Sequence, residues 1–520
     1  MFDLGTTLIA AAARDPHRLA LVDRDVRLSY GALLRSALKV AGGLAELGLK
    51  HGDHLLVILQ NRAETAILHW ATQLAGIIVT PVNWRAKPDE LGFFLQNSES
   101  RAIVYEEASA EAVAGVPAAQ GLPRIAVGGA AGGTYDFVSL LSTTPHEMRS
   151  QAVADDWSLM FYTSGTTGQG KGVPRRHRAE RAAAIAHVVQ NAYLYGEVTL
   201  GVMPLYHTMG VRSLLAMALV NGVLVCLPRF DAGKALELIE RERVTNLYLV
   251  PTLYHDLMAH PRFGETDISS VRKIGFAGAS MTDGLMLRLE AAFKPELFVN
   301  HYGSSEIYTF TIDQKAAKKP GSAGKAGLNT EVRVVRIGSR DPSAVVAPRE
   351  GGEIIATLAG DEAFEGYWRR PDADDRSLVN GWYFTGDIGH LDEDGDLFVT
   401  GRVDDMMITG GENVLPAEIE SVLSLHPAVT EVAVAGLPDD RWGQRVTAFV
   451  KRSAPVTDDE LDAHCRASGL ANYKRPKVYQ FVEAVPKSPV GKILRRFLVS
   501  GSYELEKQPP QAPNPKEAAQ

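Results

Sequence analysis

Along most of the chain, segments with apolar residues at helical spacing alternate with short, nearly unbroken apolar runs. Helical spacing covers residues 31–47, 64–74 and 88–96, while runs of strand length occupy 54–60, 77–82 and 102–105. Amphipathic helices interleaved with runs apolar on both faces predict a mainly parallel sheet covered by helices on both sides. The rhythm resumes after Asp155 and continues through 244–250 and 271–277. From about Gly324 the texture changes. Runs at 331–337, 353–358 and 397–400, joined by Gly-, Pro- and Asp-rich turns, predict a smaller β subdomain. A second change follows Gly401-Arg402-Val403-Asp404, after which 414–423, 429–435, 445–450, 458–466 and 478–482 predict a compact α+β domain. The expected architecture is α/β: a large N-terminal domain over 1–403, a small α+β C-terminal domain over 404–500, and a disordered tail over 501–520.

Composition narrows the function. The chain has 520 residues, 45% of them hydrophobic, ample for several large cores and far too apolar for a disordered protein. A net charge of −8 argues against nucleic-acid binding, which needs a basic face. Two cysteines, Cys226 and Cys465, rule out a disulfide framework or thiolate metal site and suit a cytoplasmic location. The start of the chain lacks the features of an export signal. The longest uncharged apolar stretch, 213–228, is shorter than the roughly 20 residues a membrane helix needs and is broken by Asn221 and Gly222. It predicts a buried helix, a turn and a strand, with no membrane insertion.

The strongest local signal is 157–172, WSLMFYTSGTTGQGKG. An apolar strand runs into Thr163, Ser164, Gly165, Thr166, Thr167 and Gly168, then Gly170 and Lys171. Glycines let backbone N–H groups close around an anion, hydroxyls donate further hydrogen bonds, and the lysine adds charge. Such a loop suits a polyphosphate. It nearly spells a P-loop, but Gly172 replaces the magnesium-binding Ser or Thr, and Val173-Pro174 follows where a helix should start.

The run 162–172 resembles the phosphate signature of the acyl-adenylate-forming superfamily, which includes acyl-CoA synthetases, firefly-type luciferases and peptide-synthetase adenylation domains. Gly170 replaces that signature's usual proline. Further segments resemble the family's motifs in the expected order. They are Phe276-Ala-Gly-Ala-Ser280, His301-Tyr-Gly-Ser-Ser-Glu306, Trp382-Tyr-Phe-Thr-Gly-Asp387, Gly401-Arg-Val-Asp-Asp405, Gly410-Gly-Glu-Asn413 and Pro486-Lys-Ser-Pro-Val-Gly-Lys492. One motif would be weak; the ordered set is specific.

The resemblance implies roles. ATP's phosphates would lie on the 163–171 loop and its adenine side against Gly278, Ala279 and Ser280, with Tyr302, Gly303 and Ser304 of the glutamate motif also binding the nucleotide. Glu306 would ligate Mg2+, Asp387 would hold the ribose, and Arg402 would contact the ribose or phosphate region. Lys492, carried by a mobile C-terminal domain turning about Asp404, would stabilise charge during adenylation. Arg85, Gly410, Gly411, Trp442 and Arg475 match positions that meet coenzyme A in the benzoate-type branch. The stretches 201–210 and 331–338 and the run Asp440-Arg-Trp-Gly-Gln444 are similar to 4-chlorobenzoate–CoA ligase-like enzymes. His207 would gate an acid pocket lined by Thr208, Met209, Leu249, Gly278, Asn300, His301 and Tyr308. The small side chains of 182–185 and the polar His301 depart from the chlorobenzoate type. Arg212 could meet a second carboxylate, but a solvated helix position is the simpler expectation.

The sequence is therefore read as an ATP-dependent acid–CoA ligase acting on an aryl or cyclic carboxylic acid, with ATP, Mg2+ and coenzyme A. Alternatives are an enzyme loading a carrier protein's phosphopantetheine, a medium-chain or dicarboxylic acid–CoA ligase, and a silent nucleotide-binding scaffold. A homodimer is compatible with the sequence, which does not fix the oligomeric state.

Overall fold

A computed structural model describes residues 2–163, 170–487 and 493–507. Two large sheets and the helices between them form the body up to Arg402. The first sheet has seven strands; Tyr135–Asp136, Arg124–Val127, Ala102–Glu106, His54–Ile58, Ile78–Pro81 and Trp157–Thr163 are parallel neighbours. Every residue of His54–Ile58 and Ala102–Glu106 is buried, which explains their unbroken apolar reading. The parallel half of the second sheet comprises Leu19–Asp23, Val223–Cys226, Val198–Gly201, Asn246–Leu249, Lys273–Ala277 and Leu297–Tyr302. Helices Leu4–Arg14, Tyr30–Glu46 and Ala63–Ala75 fill the space between the sheets, with Leu8, Leu38, Trp70, Val57 and Leu224 in one core.

The expected β subdomain proves to be continuous with this second sheet. Strand Leu297–Tyr302 pairs antiparallel with Thr311–Asp313, which leads through Ser322–Ala326 to Leu397–Arg402, Trp382–Leu391, Gly352–Thr357 and Val332–Val335. Residues from Met407 onward build a separate five-stranded sheet, backed by helices Pro416–Ser424 and Asp458–Ala467. Its core is formed by Val414, Ile419, Leu423, Ala448, Leu461 and Cys465. Residues 501–507, assigned by composition to the tail, instead pack on this sheet. Leu505 bridges to Val482, the Tyr503 ring lies 5.0 Å from that of Phe449, and Glu506 pairs with Arg452 at 2.6 Å. The Pro and Gln that suggest disorder are concentrated after these residues, whereas Tyr503 and Leu505 are groups a sheet can bury.

One local feature decides between the two phosphate-loop readings. Trp157–Thr163 is followed by a second strand, Lys171–Arg176, antiparallel to it, with Thr163 opposite Lys171 and Phe161 opposite Val173. A P-loop would lead from strand to helix. Here the helix, His177–Gln190, starts only after the returning strand, so the two strands form an antiparallel pair and not a strand–helix unit.

Candidate active site

The parallel strands Trp157–Thr163, Lys273–Ala277 and Leu297–Tyr302 carry the candidate groups at their C-terminal ends, where open α/β sheets bind ligands. Thr163 closes the first strand, and Gly278, at φ +83°, follows the second with Ala279 and Ser280. Ser164, Gly165, Thr166, Thr167, Gly168 and Lys492 lie outside the described residues. Lys171 Nζ lies 4.1 Å from the centre of the Tyr367 ring. Burial lowers its pKa, opposed by the nearby charge of Glu306.

Glu306 is fixed from several sides. In the turn after Tyr302, a Cβ on Gly303 would lie 1.9 Å from the carbonyl oxygen of Tyr308, so only glycine fits. The Ser304 hydroxyl oxygen accepts from the backbone N–H groups of Glu306 and Ile307 at 3.2 and 3.3 Å. Arg175 donates to the Glu306 carbonyl at 2.8 Å, and the backbone N–H of Phe364 does so at 2.9 Å. The carboxylate is buried; its Oε1 accepts from the Tyr367 hydroxyl at 2.7 Å. Its Oε2 has no hydrogen-bond partner among the described residues. One rigid carboxylate with an oxygen to spare, near the Lys171 ammonium, would fit a Mg2+ ion, which takes few protein ligands and several from phosphate and water.

Asp387 lies opposite Arg402 in the antiparallel pair Trp382–Leu391 and Leu397–Arg402. Arg402 pairs with its Oδ1 at 3.0 Å, and the Tyr302 hydroxyl donates to its Oδ2 at 2.6 Å. The structure thus joins three residues from separate motifs. Asp404 sits in the short turn Val403–Asp405 that follows, where the chain leaves the large body.

On the acid side, His207 caps helix Thr208–Leu219, its Nδ1 accepting from the Met209 N–H at 3.4 Å. Burial, aided by the charge of Arg212, lowers its pKa to about 4, so the ring is neutral at pH 7. Thr208, Met209, Leu249, His301 and Tyr308 are buried. A Cβ on Gly278 would lie 3.8 Å from Met209 Sδ, which puts the turn after Lys273–Ala277 against this helix. Two of the expected lining groups are committed elsewhere: the Asn300 amide donates to the Ser322 carbonyl at 2.7 Å, and the Tyr308 hydroxyl to Glu180 at 2.9 Å.

Arg212 corrects an expectation. It is 3% exposed, donates to His301 and to the Tyr308 carbonyl, and does not face solvent. Every residue from Thr208 to Ala218 is buried, so the helix has no solvated stripe for it.

The expected coenzyme A residues fall into groups. Gly410 and Trp442 meet: the Gly410 N–H donates to the Trp442 carbonyl at 2.9 Å, and a Cβ there would lie 2.9 Å from the indole. Gly410 and Gly411 have φ of +59° and +86°. Arg85 is exposed with its guanidinium 3.8 Å above the Trp84 ring, whereas Arg475 is half-buried against Asp462 and Asn472.

Sequence reasoning missed Tyr367, Arg175 and Glu180. Arg175 and Glu180 form an ion pair at 2.8 Å with no exposed side-chain surface, holding Glu306 through its carbonyl and Tyr308 through its hydroxyl. Their only sequence signal is charge inside a buried strand and helix, at a spacing that no motif distinguishes.

Comparison with known proteins agrees with this geometry. The AMP-binding enzyme family matches residues 8–368, and the AMP-binding enzyme C-terminal domain matches 418–492. The long-chain-fatty-acid–CoA ligase FadD13 of Mycobacterium tuberculosis is 34% identical over 504 residues, covering 96% of this chain and 98% of that protein. A 4-chlorobenzoate–CoA ligase from an Arthrobacter species is 33% identical, over 94% of this chain and 93% of its own. The crystal structure of ATP-bound MatB from Rhodopseudomonas palustris superposes with a TM-score of 0.87 at 28% identity, covering 96% of this chain and 99% of that one. This chain belongs to the AMP-binding enzyme family, among its ATP-dependent acid–CoA ligases.

Proposed function

We propose that the protein activates a small aryl or cyclic carboxylic acid as its acyl adenylate and transfers the acyl group to coenzyme A. The substrate carboxylate attacks the α-phosphorus of ATP and pyrophosphate leaves; the thiolate of coenzyme A then attacks the acyl carbon and AMP leaves. Thr163, the 164–168 loop and Lys171 hold the departing phosphates, and Asp387, supported by Tyr302 and Arg402, holds the ribose. Gly278, Ala279, Ser280, Gly303 and Ser304 border the adenine side. Glu306 would hold Mg2+, which offsets the charge developing on the phosphates. Lys492 stabilises the same charge from the C-terminal domain, beginning at 404, and Asp404 is the hinge. His207 gates the acid, and Gly410, Gly411, Trp442, Arg85 and Arg475 serve the pantetheine and nucleotide of coenzyme A.

The observation that carries the choice of acid is the buried contact between Arg212 and His301 beside Met209 and Tyr308. These buried polar groups suit a compact acid that carries polar atoms of its own, whereas a long alkyl chain laid on them would give them nothing in return. The test is thioester formation from Mg-ATP, coenzyme A and a panel of benzoates, cyclohexanecarboxylate, phenylacetate and octanoate. Turnover of ring acids above octanoate is expected. Preference for octanoate would select the medium-chain alternative, and AMP without thioester would select carrier-protein loading.

A further inference from the structure

Helices His177–Gln190 and Thr208–Leu219 contribute His187 and Arg212 to a buried cluster completed by Tyr248 and His301 from the adjoining sheet. The positions of its protons follow from its contacts. A guanidinium only donates, so His301 Nε2, 2.7 Å from Arg212 Nη1, accepts. The Thr309 hydroxyl lies 2.9 Å from the same nitrogen. The neutral ring carries its proton on Nδ1, whose neighbour at 3.4 Å is the same Nη1, another donor. Asn191 Nδ2 donates to the His187 carbonyl at 2.8 Å, which fixes the orientation of the amide. The same nitrogen lies 2.9 Å from His187 Nδ1, so His187 accepts there and carries its proton on Nε2. Burial, with the charge of Arg212, keeps both rings well below the ordinary histidine range and so neutral.

Three N–H groups are left over. Arg212 Nε and His187 Nε2 are buried without partners, and His301 Nδ1 faces only a donor. Among the described residues no carboxylate lies within 4.0 Å of Arg212. Glu362 is the buried carboxyl whose charge it feels; burial pushes that group's pKa up, the Asn329 amide donates to its Oε1, and its Oε2 is buried without a partner, out of ion-pair reach of Arg212. A buried donor without an acceptor is costly, and several donors converging without one mark a place built for an acceptor. Arg212 contacts His301 and Tyr308, and His207 feels its charge, so the cluster adjoins the acid side of the site.

We propose that the acid carries a second oxygen acceptor, a carboxylate or a ring oxygen, at the end remote from its reacting carboxylate, and that Arg212, His301 and His187 receive it. This rests on the acid–CoA ligase reading and adds the substrate class. An anionic oxygen suits a guanidinium that has no contacting carboxylate of its own.

The test compares kcat/KM for thioester formation with terephthalate, isophthalate, 3- and 4-hydroxybenzoate, benzoate and 4-methylbenzoate. At least one acceptor-bearing acid should exceed 4-methylbenzoate by about 100-fold, the scale of a charged hydrogen bond. The dicarboxylate and hydroxybenzoate arms identify which oxygen is read. Arg212→Leu should bring the ratio below about fivefold by the same reasoning. Equal turnover of 4-methylbenzoate by the wild-type enzyme overturns the inference while leaving the ligase reading intact, as does an Arg212→Leu variant that lowers all acids by one factor. If that variant does not fold, the wild-type ratio decides alone. Turnover of octanoate with none of the ring acids overturns the ring-acid reading and this inference together.

Discussion

The two sides of the proposed site, the nucleotide side and the acid side, are built on opposite terms. On the nucleotide side the carboxylates are held before any ligand arrives: Glu306 by Tyr367, and Asp387 by Tyr302 and Arg402. On the acid side Arg212, His187 and His301 retain N–H groups that nothing nearby accepts. The first arrangement is stiff and suits a ligand common to every reaction cycle. On our proposal the second is completed by a particular substrate, because leaving buried donors unpaired penalises any acid that does not supply the acceptor.

The largest effect should come from breaking the nucleotide side. Glu306→Gln keeps the shape and the Tyr367 contact but removes the charge, and should slow acyl-adenylate formation about 1,000-fold, read as acid-dependent pyrophosphate release. Lys492→Ala should fall in the same range. Undiminished adenylation in either variant would remove that residue from the mechanism.

Next comes the support shared by both sides. Glu180→Gln leaves the Arg175 charge buried and unpaired, a loss of about 3–5 kcal/mol. Calorimetry should show a clear fall in melting temperature; an unchanged value would mean that the pair does not hold the two halves together.

The smallest effect for any one group and pH unit is a pH trend. Burial lowers the pKa of His54, His177 and His207 to about 4 and that of His69 to about 3. In the unfolded chain these rings take up protons near pH 6.5, and in the folded protein only near their lowered values. Their stabilising contribution is therefore present above about pH 6.5 and is lost as pH falls toward 4. Each protonation adds at most about 1.4 kcal/mol of loss per pH unit in that window. A melting temperature flat from pH 7 to 4.5 would contradict this.

Much of this is legible in the sequence because the groups concerned are local. The Gly303–Glu306 turn and Asp387 are short runs whose glycines and neighbours announce them, and the 164–168 run, equally plain in the sequence, lies outside the described residues. The parallel sheets are legible because strands buried on both faces read as unbroken apolar runs. The support is not, because it is assembled across the chain. Tyr367 meets Glu306 from 61 residues away, and Arg175 does so from 131. The environment of Arg212 is hidden for the same reason. Its neighbours on the helix are ordinary apolar residues, and its partners His301 and Tyr308 come from 89 and 96 residues further on.

The contrast between the two sides is tested most directly by ATP–pyrophosphate exchange without coenzyme A, which isolates adenylation. Exchange should be absent without acid, weak with 4-methylbenzoate and about 100-fold faster with an acid bearing a second oxygen acceptor. Exchange of equal rate with both acids, or exchange that needs no acid, would contradict the account.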